Sequence, residues 1–242
     1  MSGDDSHSSH ISSEGSPAAV VRPRNSQDTA EPRALVYAIF SKITSSPFDT
    51  QQDQLEAVFS EQSAKVLEEV QPQLPFDVEF TTLGQRIREV ADRNLEGLSR
   101  EYSSLFEVGN DGPAAPLRAE LIRVNASKMK EEIVRFYDFF SYDLKDDISW
   151  SPDHIAVLLE FMQVLCMKEA AAETDEERES FARAQLDFLD RHIVSWLPIT
   201  ISRLIEQKRE GFYTHVMTKL WEFLEQDRIW NGDTMPRVEQ ES

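Results

Sequence analysis

An aspartate and a histidine stand side by side at Asp153-His154, behind Ser151-Pro152 and ahead of the most apolar stretch of the chain, Ile155 to Met167. A carboxylate accepts hydrogen bonds and an imidazole can donate or accept. Together the two side chains could grip a donor and an acceptor on a partner. An acid–base pair would use the same residue types but needs a third orienting group, and none follows nearby in sequence. A plainer reading also fits: Asp153 favours the positive end of the helix that begins here, and His154 is incidental.

Other chemistry finds little support. Of the five histidines, His7 and His10 lie in the polar N-terminal tail and His154, His192 and His215 lie far apart, with no His-Glu-x-x-His or Glu-x-x-His pairing to hold a metal. Eight glycines form no phosphate cradle and no dinucleotide fingerprint. The one cysteine, Cys166, falls inside an apolar helix, where a thiol is packing rather than nucleophile, and a lone thiol cannot form an internal disulfide. The expectation is a protein that is not an enzyme and carries no metal or cofactor. Tyr102-Ser-Ser-Leu-Phe106 offers two aromatic residues before a Gly/Pro-rich stretch. They serve either the core or the edge of an apolar groove that takes a peptide.

The balance of 44 acids against 25 bases gives a formal charge of −19. Nucleic-acid binding needs cations to replace the counterions of phosphate, so this balance argues against it. An acidic surface instead draws in a basic ligand, or simply keeps the protein soluble. The N-terminus lacks the basic-then-apolar start of a secretory signal, and Ile155 to Met167 is too short to span a bilayer. A cytoplasmic protein without membrane insertion is expected.

The elements that must position these residues are helical. Residues 1–30 are polar and read as a disordered tail, residues 31–230 as one domain, and residues 231–242 as a flexible end. A first helix is predicted from Pro32 to Thr44, with an apolar stripe of Leu35, Val36, Ile39, Phe40 and Ile43. A second spans Gln54 to Val70. A third carries Leu83, Ile87, Leu98, Tyr102 and Leu105 on one face and ends at the loop 107–116, which has two Gly and two Pro. A fourth covers Leu117 to Phe140. The fifth begins at Ser151-Pro152-Asp153-His154; its body is apolar on nearly every side and belongs in the middle of a bundle. Thr174 to Glu177 reads as a capping box opening a long helix that Pro198 must kink or split, and a last helix runs from Glu210 to Gln226. No strand alternation appears, so the fold class is all-α, a single compact helical bundle.

These features resemble the TorD/DmsD/NarJ-like family of redox-enzyme maturation chaperones. Tyr102-Ser-Ser-Leu-Phe106 with Gly109, Pro113 and Pro116 is similar to the family's Tyr-x-x-Leu-Phe motif and Pro-rich loop. Ser151-Pro152-Asp153-His154, leading into Leu158, Glu160, Phe161 and Met162, resembles its Pro-x-Asp-His signature, although Ser151 stands where an acid often precedes the proline. Phe188 to His192 with Trp196-Leu197-Pro198, and Arg33 to Tyr37 with Ser45-Ser-Pro47, fit in the same order; the resemblance covers roughly 32–228. It implies a TorD-like all-helical chaperone that binds the apo catalytic subunit of a molybdopterin-dependent oxidoreductase, and its twin-arginine signal peptide, until cofactor insertion is complete. Partner-binding residues implied are Asp153, His154, Tyr102 and Glu120, with Pro152 in the signature and Trp150 edging the groove. The chain acts as a monomer or, through the 107–116 hinge, a swapped dimer. Rival readings are an enzyme built on Asp153-His154, an assembly subunit that stays with its redox complex, and an acidic helical adaptor.

Overall fold

The computed structural model describes residues 22–91, 95–109, 112–144, 151–207 and 210–235. Ten α-helices carry the described chain: α1 (Ser26–Ile43), α2 (Gln52–Val58), α3 (Glu61–Val70), α4 (Thr81–Ala91), α5 (Leu95–Phe106), α6 (Ala126–Phe139), α7 (Ile155–Ala171), α8 (Asp175–Phe188), α9 (Leu197–Glu206) and α10 (Phe212–Thr234). The all-α bundle expected from the helical periodicity is the fold found.

Helix α7 is the axis. Ile155, Leu158, Leu159, Phe161, Met162 and Leu165 are fully buried. Each such side chain contributes roughly 1.5–3 kcal/mol through burial, which is why a helix apolar on nearly every side settles at the centre of the layers. Helix α1 lies along one side of it and α8 along the other. Two aromatic groups fill the spaces. Tyr37, Phe40, Phe76 and Phe80 surround Phe223 of α10 with ring centroids 5.0–6.4 Å apart. Tyr137, Phe161 and Phe188 meet beneath α6 at 4.6–6.2 Å.

Several boundaries differ from the sequence reading. Helix α1 begins at Ser26, so residues 22–30 are not part of a tail. Thr29, Ala30 and Arg33 are buried, and Pro32 sits inside the helix. Interior proline costs a backbone bond, here offset by the buried partners of Arg33. The buried stripe runs through Arg33, Val36, Tyr37, Phe40 and Ile43, while Leu35 faces outward at 49% exposure. The predicted second helix breaks at Phe59-Ser60, where Ser60 Oγ accepts Ser63 N–H and caps α3. The predicted capping box of α8 is present: Thr174 Oγ1 accepts Glu177 N–H and the Glu177 carboxylate accepts Thr174 N–H, both at 3.2 Å. After α8 the helix widens into a π-turn, Leu189–Val194, and Pro198 opens α9 from its first turn. Helix α10 continues past Gln226, carrying buried Asp227, Trp230 and Asn231 inside.

Candidate functional site

The predicted fourth helix starts nine residues late, at Ala126, because the segment before it pairs with the signature instead. Ile155 N–H donates to Leu117 O at 2.8 Å, and Arg118 and His154 form an antiparallel bridge. Asp153 Oδ2 accepts Glu120 N–H at 2.7 Å, capping the short 3-10 turn Ala119–Leu121. Tyr137 donates its hydroxyl to Pro152 O at 2.8 Å, and Thr200 Oγ1 donates to Pro116 O at 2.8 Å. Ser41 Oγ reaches Ala156 O at 2.7 Å from α1. Three helices, α1, α6 and α9, therefore pin a crossing of two irregular segments.

Burial decides what this crossing can do. Asp153 is fully buried and His154 is 8% exposed, so neither presents its head group on an open groove. This corrects the expectation of a rim formed by the pair. His154 caps its own helix, with Nδ1 accepting Ala156 N–H at 3.2 Å. Burial, reinforced by the Arg118 cation and opposed by Asp49, pushes its pKa down to about 3, so the ring is neutral. Asp153 Oδ1 is buried without a hydrogen-bond partner and has Lys130 Nζ at 3.7 Å. The two side chains share no proton and hold backbone.

What they hold is a patch of paired charge. Glu120 is ion-paired to Arg118 at 3.0 Å and, more closely, to Lys130, and its side chain is 26% exposed. Pro152 is half-buried beside it. Trp150 lies outside the described residues. Tyr102 does not join this group. It is buried on α5, donates to Thr44 O at 3.1 Å, and packs its ring on Phe106 and Tyr213 at 5.0 and 5.2 Å. Its hydroxyl is pushed above the usual phenol range by burial, then by Glu107 and Asp49. Of the six residues expected to bind a partner, Glu120 and Pro152 are the described ones that reach solvent; Asp153 and His154 lie beneath them.

Two features escaped the sequence reading. A groove of about 500 Å³ runs between α6 and α8, walled by Phe136, Phe139, Phe140 and Ala184 and edged by Arg135 and Arg191. Phe139 is 79% exposed there. The signal for it was present: Phe139 and Phe140 fall side by side at the end of α6 and cannot both face the core. The second feature is an ionic cluster in the core. Arg33 is bonded to Glu169 at 2.9 Å, Asp227 at 3.1 Å and Gln185 at 2.7 Å, all fully buried. Burial works against the Arg33 charge, but the Cys166 sulfur, Asp227 and Glu169 outweigh it and hold its pKa raised. An arginine in register with Val36, Tyr37 and Phe40 was the clue, since it shares their buried face. Among the described residues no group of three or more His, Cys, Asp and Glu is placed to hold a metal ion, and no helix is long and apolar enough to cross a membrane.

Comparison with known proteins bears on the same region. The family described as nitrate reductase delta subunit matches residues 45–202, which include both strands of the crossing. The selenate reductase assembly chaperone protein of Thauera selenatis is 35% identical over 146 residues, 59% of this chain and 75% of its own length. The chlorate reductase assembly chaperone protein of Ideonella dechloratans is 36% identical over 141 residues, 57% and 72% of the two chains. The chaperone protein TorD of Shewanella sp. (strain MR-4) is 27% identical over 215 residues, covering 83% of this chain and 94% of that one. With the family model matching residues 45–202, well over half of the chain, the chain belongs to the nitrate reductase delta subunit family, the TorD/NarJ-type maturation chaperones.

Proposed function

We propose that this chain is a cytoplasmic assembly chaperone that binds the apo catalytic subunit of a molybdopterin-dependent reductase, and its signal peptide, and releases it once the cofactor is in place. The observation that carries the reading is the family match through residues 45–202, together with the similarity to relatives named for the assembly of selenate and chlorate reductases. Three physical features support it. The charge of −19 attracts a segment with a basic start. The groove between α6 and α8 offers an apolar wall to the oily part of an unfinished partner. The Arg118–Glu120–Lys130 patch supplies the charged contact, joined by Pro152 and Trp150 from the segment just ahead of Asp153, while Asp153 and His154 position it from below.

The test is capture of the client from cells unable to make molybdenum cofactor. The chain should retain a reductase catalytic subunit there and release it from cofactor-replete cells, and Glu120→Lys should reduce retention. Equal retention of the mature, metal-loaded complex would instead identify an assembly subunit that stays with its partner. Failure to hold any reductase subunit would defeat the proposal.

A further inference from the structure

The core ionic cluster is closed by a short strap. Residues 22–25 run ahead of α1, with Arg22, Pro23 and Asn25 exposed and Arg24 turned inward. The Arg24 guanidinium lies over the Trp230 ring at 4.5 Å, donates to Glu169 Oε1 at 2.6 Å, and donates closely to Asn231 Oδ1. The strap is otherwise held at Arg22, whose N–H donates to Pro75 O at 3.1 Å and whose side chain reaches Pro72 O at 3.1 Å. Arg22 O in turn accepts Trp230 Nε1–H at 2.8 Å. Beside it lies a cavity of about 570 Å³ with Phe76 and Val78 in its wall and Asp77, Glu79 and Glu222 around it. Phe76 packs against Trp230 at 6.3 Å, so cavity and cluster share a wall.

We propose that Trp230, Glu169 and Asn231 form a guanidinium-binding seat, occupied in cis by Arg24, which an arginine-bearing, otherwise apolar segment of a partner polypeptide takes by displacing the strap. The inference stands on the strap and the seat and does not depend on which client the chaperone serves.

Charge is the first argument. Two carboxylates, Glu169 and Asp227, face two cations, Arg33 and Arg24, inside the cluster. Lifting the strap removes Arg24 and leaves two buried carboxylates sharing the single Arg33 cation, an imbalance that a low-dielectric interior penalises. The empty seat therefore favours a cation. Geometry makes that cation a guanidinium: a ring face and two acceptors on different helices match a planar fork and not the point charge of an ammonium. Imperfect filling in cis is the second argument. Arg24 Nε–H is buried with no acceptor, and burial lowers the Arg24 pKa despite Glu169. An arginine entering from another direction can satisfy that donor. Third, the acidic, partly apolar cavity beside the seat gives the flanking residues of such a segment a place to lie.

The probe is the blocked peptide acetyl-Ala-Arg-Leu-Leu-amide, with its lysine counterpart as control, titrated into the full chain while the Trp230 indole resonance is followed. A cis occupant lowers apparent affinity by the fraction of time the seat is empty. Arg24→Ala should therefore bind the arginine peptide at least roughly tenfold more tightly than the wild type, and prefer it to the lysine peptide by about tenfold or more. Equal affinity in wild type and variant, or for the two peptides, overturns the proposal. Ethylguanidinium should also restore the thermal midpoint lost in Arg24→Ala where ethylammonium does not, and an equal response to both cations counts against the seat. If Arg24→Ala does not fold, the wild-type chain decides: saturating arginine peptide must shift the Trp230 indole, and an unmoved resonance refutes displacement.

Discussion

Replacing Asp153 separates a positioning role from a direct grip on the client. The carboxylate takes Glu120 N–H at 2.7 Å from a fully buried site, and no other described acceptor holds that amide. A hydrogen bond to a charged group is worth roughly 1.5–3 kcal/mol, against about 1 kcal/mol for a neutral one. Asp153→Ala removes all of it and frees the turn Ala119–Leu121. The thermal midpoint should then fall by about 3–12 °C, at roughly 2–4 °C per kcal/mol for a chain of this size. Locally, exchange of the Glu120 amide should quicken by about ten- to a hundredfold, one factor of ten per ~1.4 kcal/mol. Asp153→Asn keeps an acceptor on the amide and should show about half the loss. Client capture should follow the same ranking, with the alanine variant impaired more than the asparagine one. The assays are thermal unfolding by circular dichroism, amide exchange read at Glu120, and capture of the client. If the two variants lose capture equally while Glu120 exchange stays at the wild-type rate, the charge itself touches the partner and the positioning argument is wrong.

Removing Arg33 should be far more damaging than removing a surface charge. Arg33→Ala leaves Glu169 and Asp227 underneutralised in the core and should cost about 3–5 kcal/mol in urea unfolding, while a loss below ~1 kcal/mol would mean the cluster is hydrated. Stability should fall with acid through the histidines. His192 is 1% exposed, its ring nitrogens have no hydrogen-bond partner, and burial reinforced by Arg191 pushes its pKa down to about 4; His154 sits at about 3. Unfolding returns each to about 6.5, so the unfolded chain binds more protons below that pH, and stability is full above it and declines toward pH 4. His192→Leu should flatten that decline by up to ~1.4 kcal/mol per pH unit in unfolding measured across pH 7.5 to 4.5, and an unchanged slope would show that the ring already meets water. Cys166, its thiol pushed up to about 12 by burial, should resist alkylation until the chain is denatured, and rapid labelling of the folded protein would contradict its place in α7.

The helical period was legible because it comes from chain-local geometry: a side chain every 100° puts Leu83 and Ile87 on one face of α4, and Leu98, Tyr102 and Leu105 on one face of α5, although the single helix expected through both is described as two, with residues 92–94 outside the described residues. The largely apolar run of α7 fixed its central place for the same reason, and Thr174 with Glu177 announced a cap that uses only four consecutive residues. The family, too, could be read from short motifs in order. What sequence alone could not decide is where local preference yields to distant partners. Leu117–Val124 has the composition of a helix but gives its backbone to the Asp153–Ile155 crossing, and only tertiary structure brings residues 33 apart into that contact. The same holds for Asp153 and His154. Their types suggested an exposed grip, yet exposure depends on what the rest of the chain covers, and the fold covers both while leaving Glu120 at the surface. Arg33, Glu169, Asp227 and Arg24 lie on three helices and a strap, so their charges cancel only once α1, α7 and α10 have packed. Electrostatic pairing across such separations is a property of the assembled core, and no window of sequence contains it.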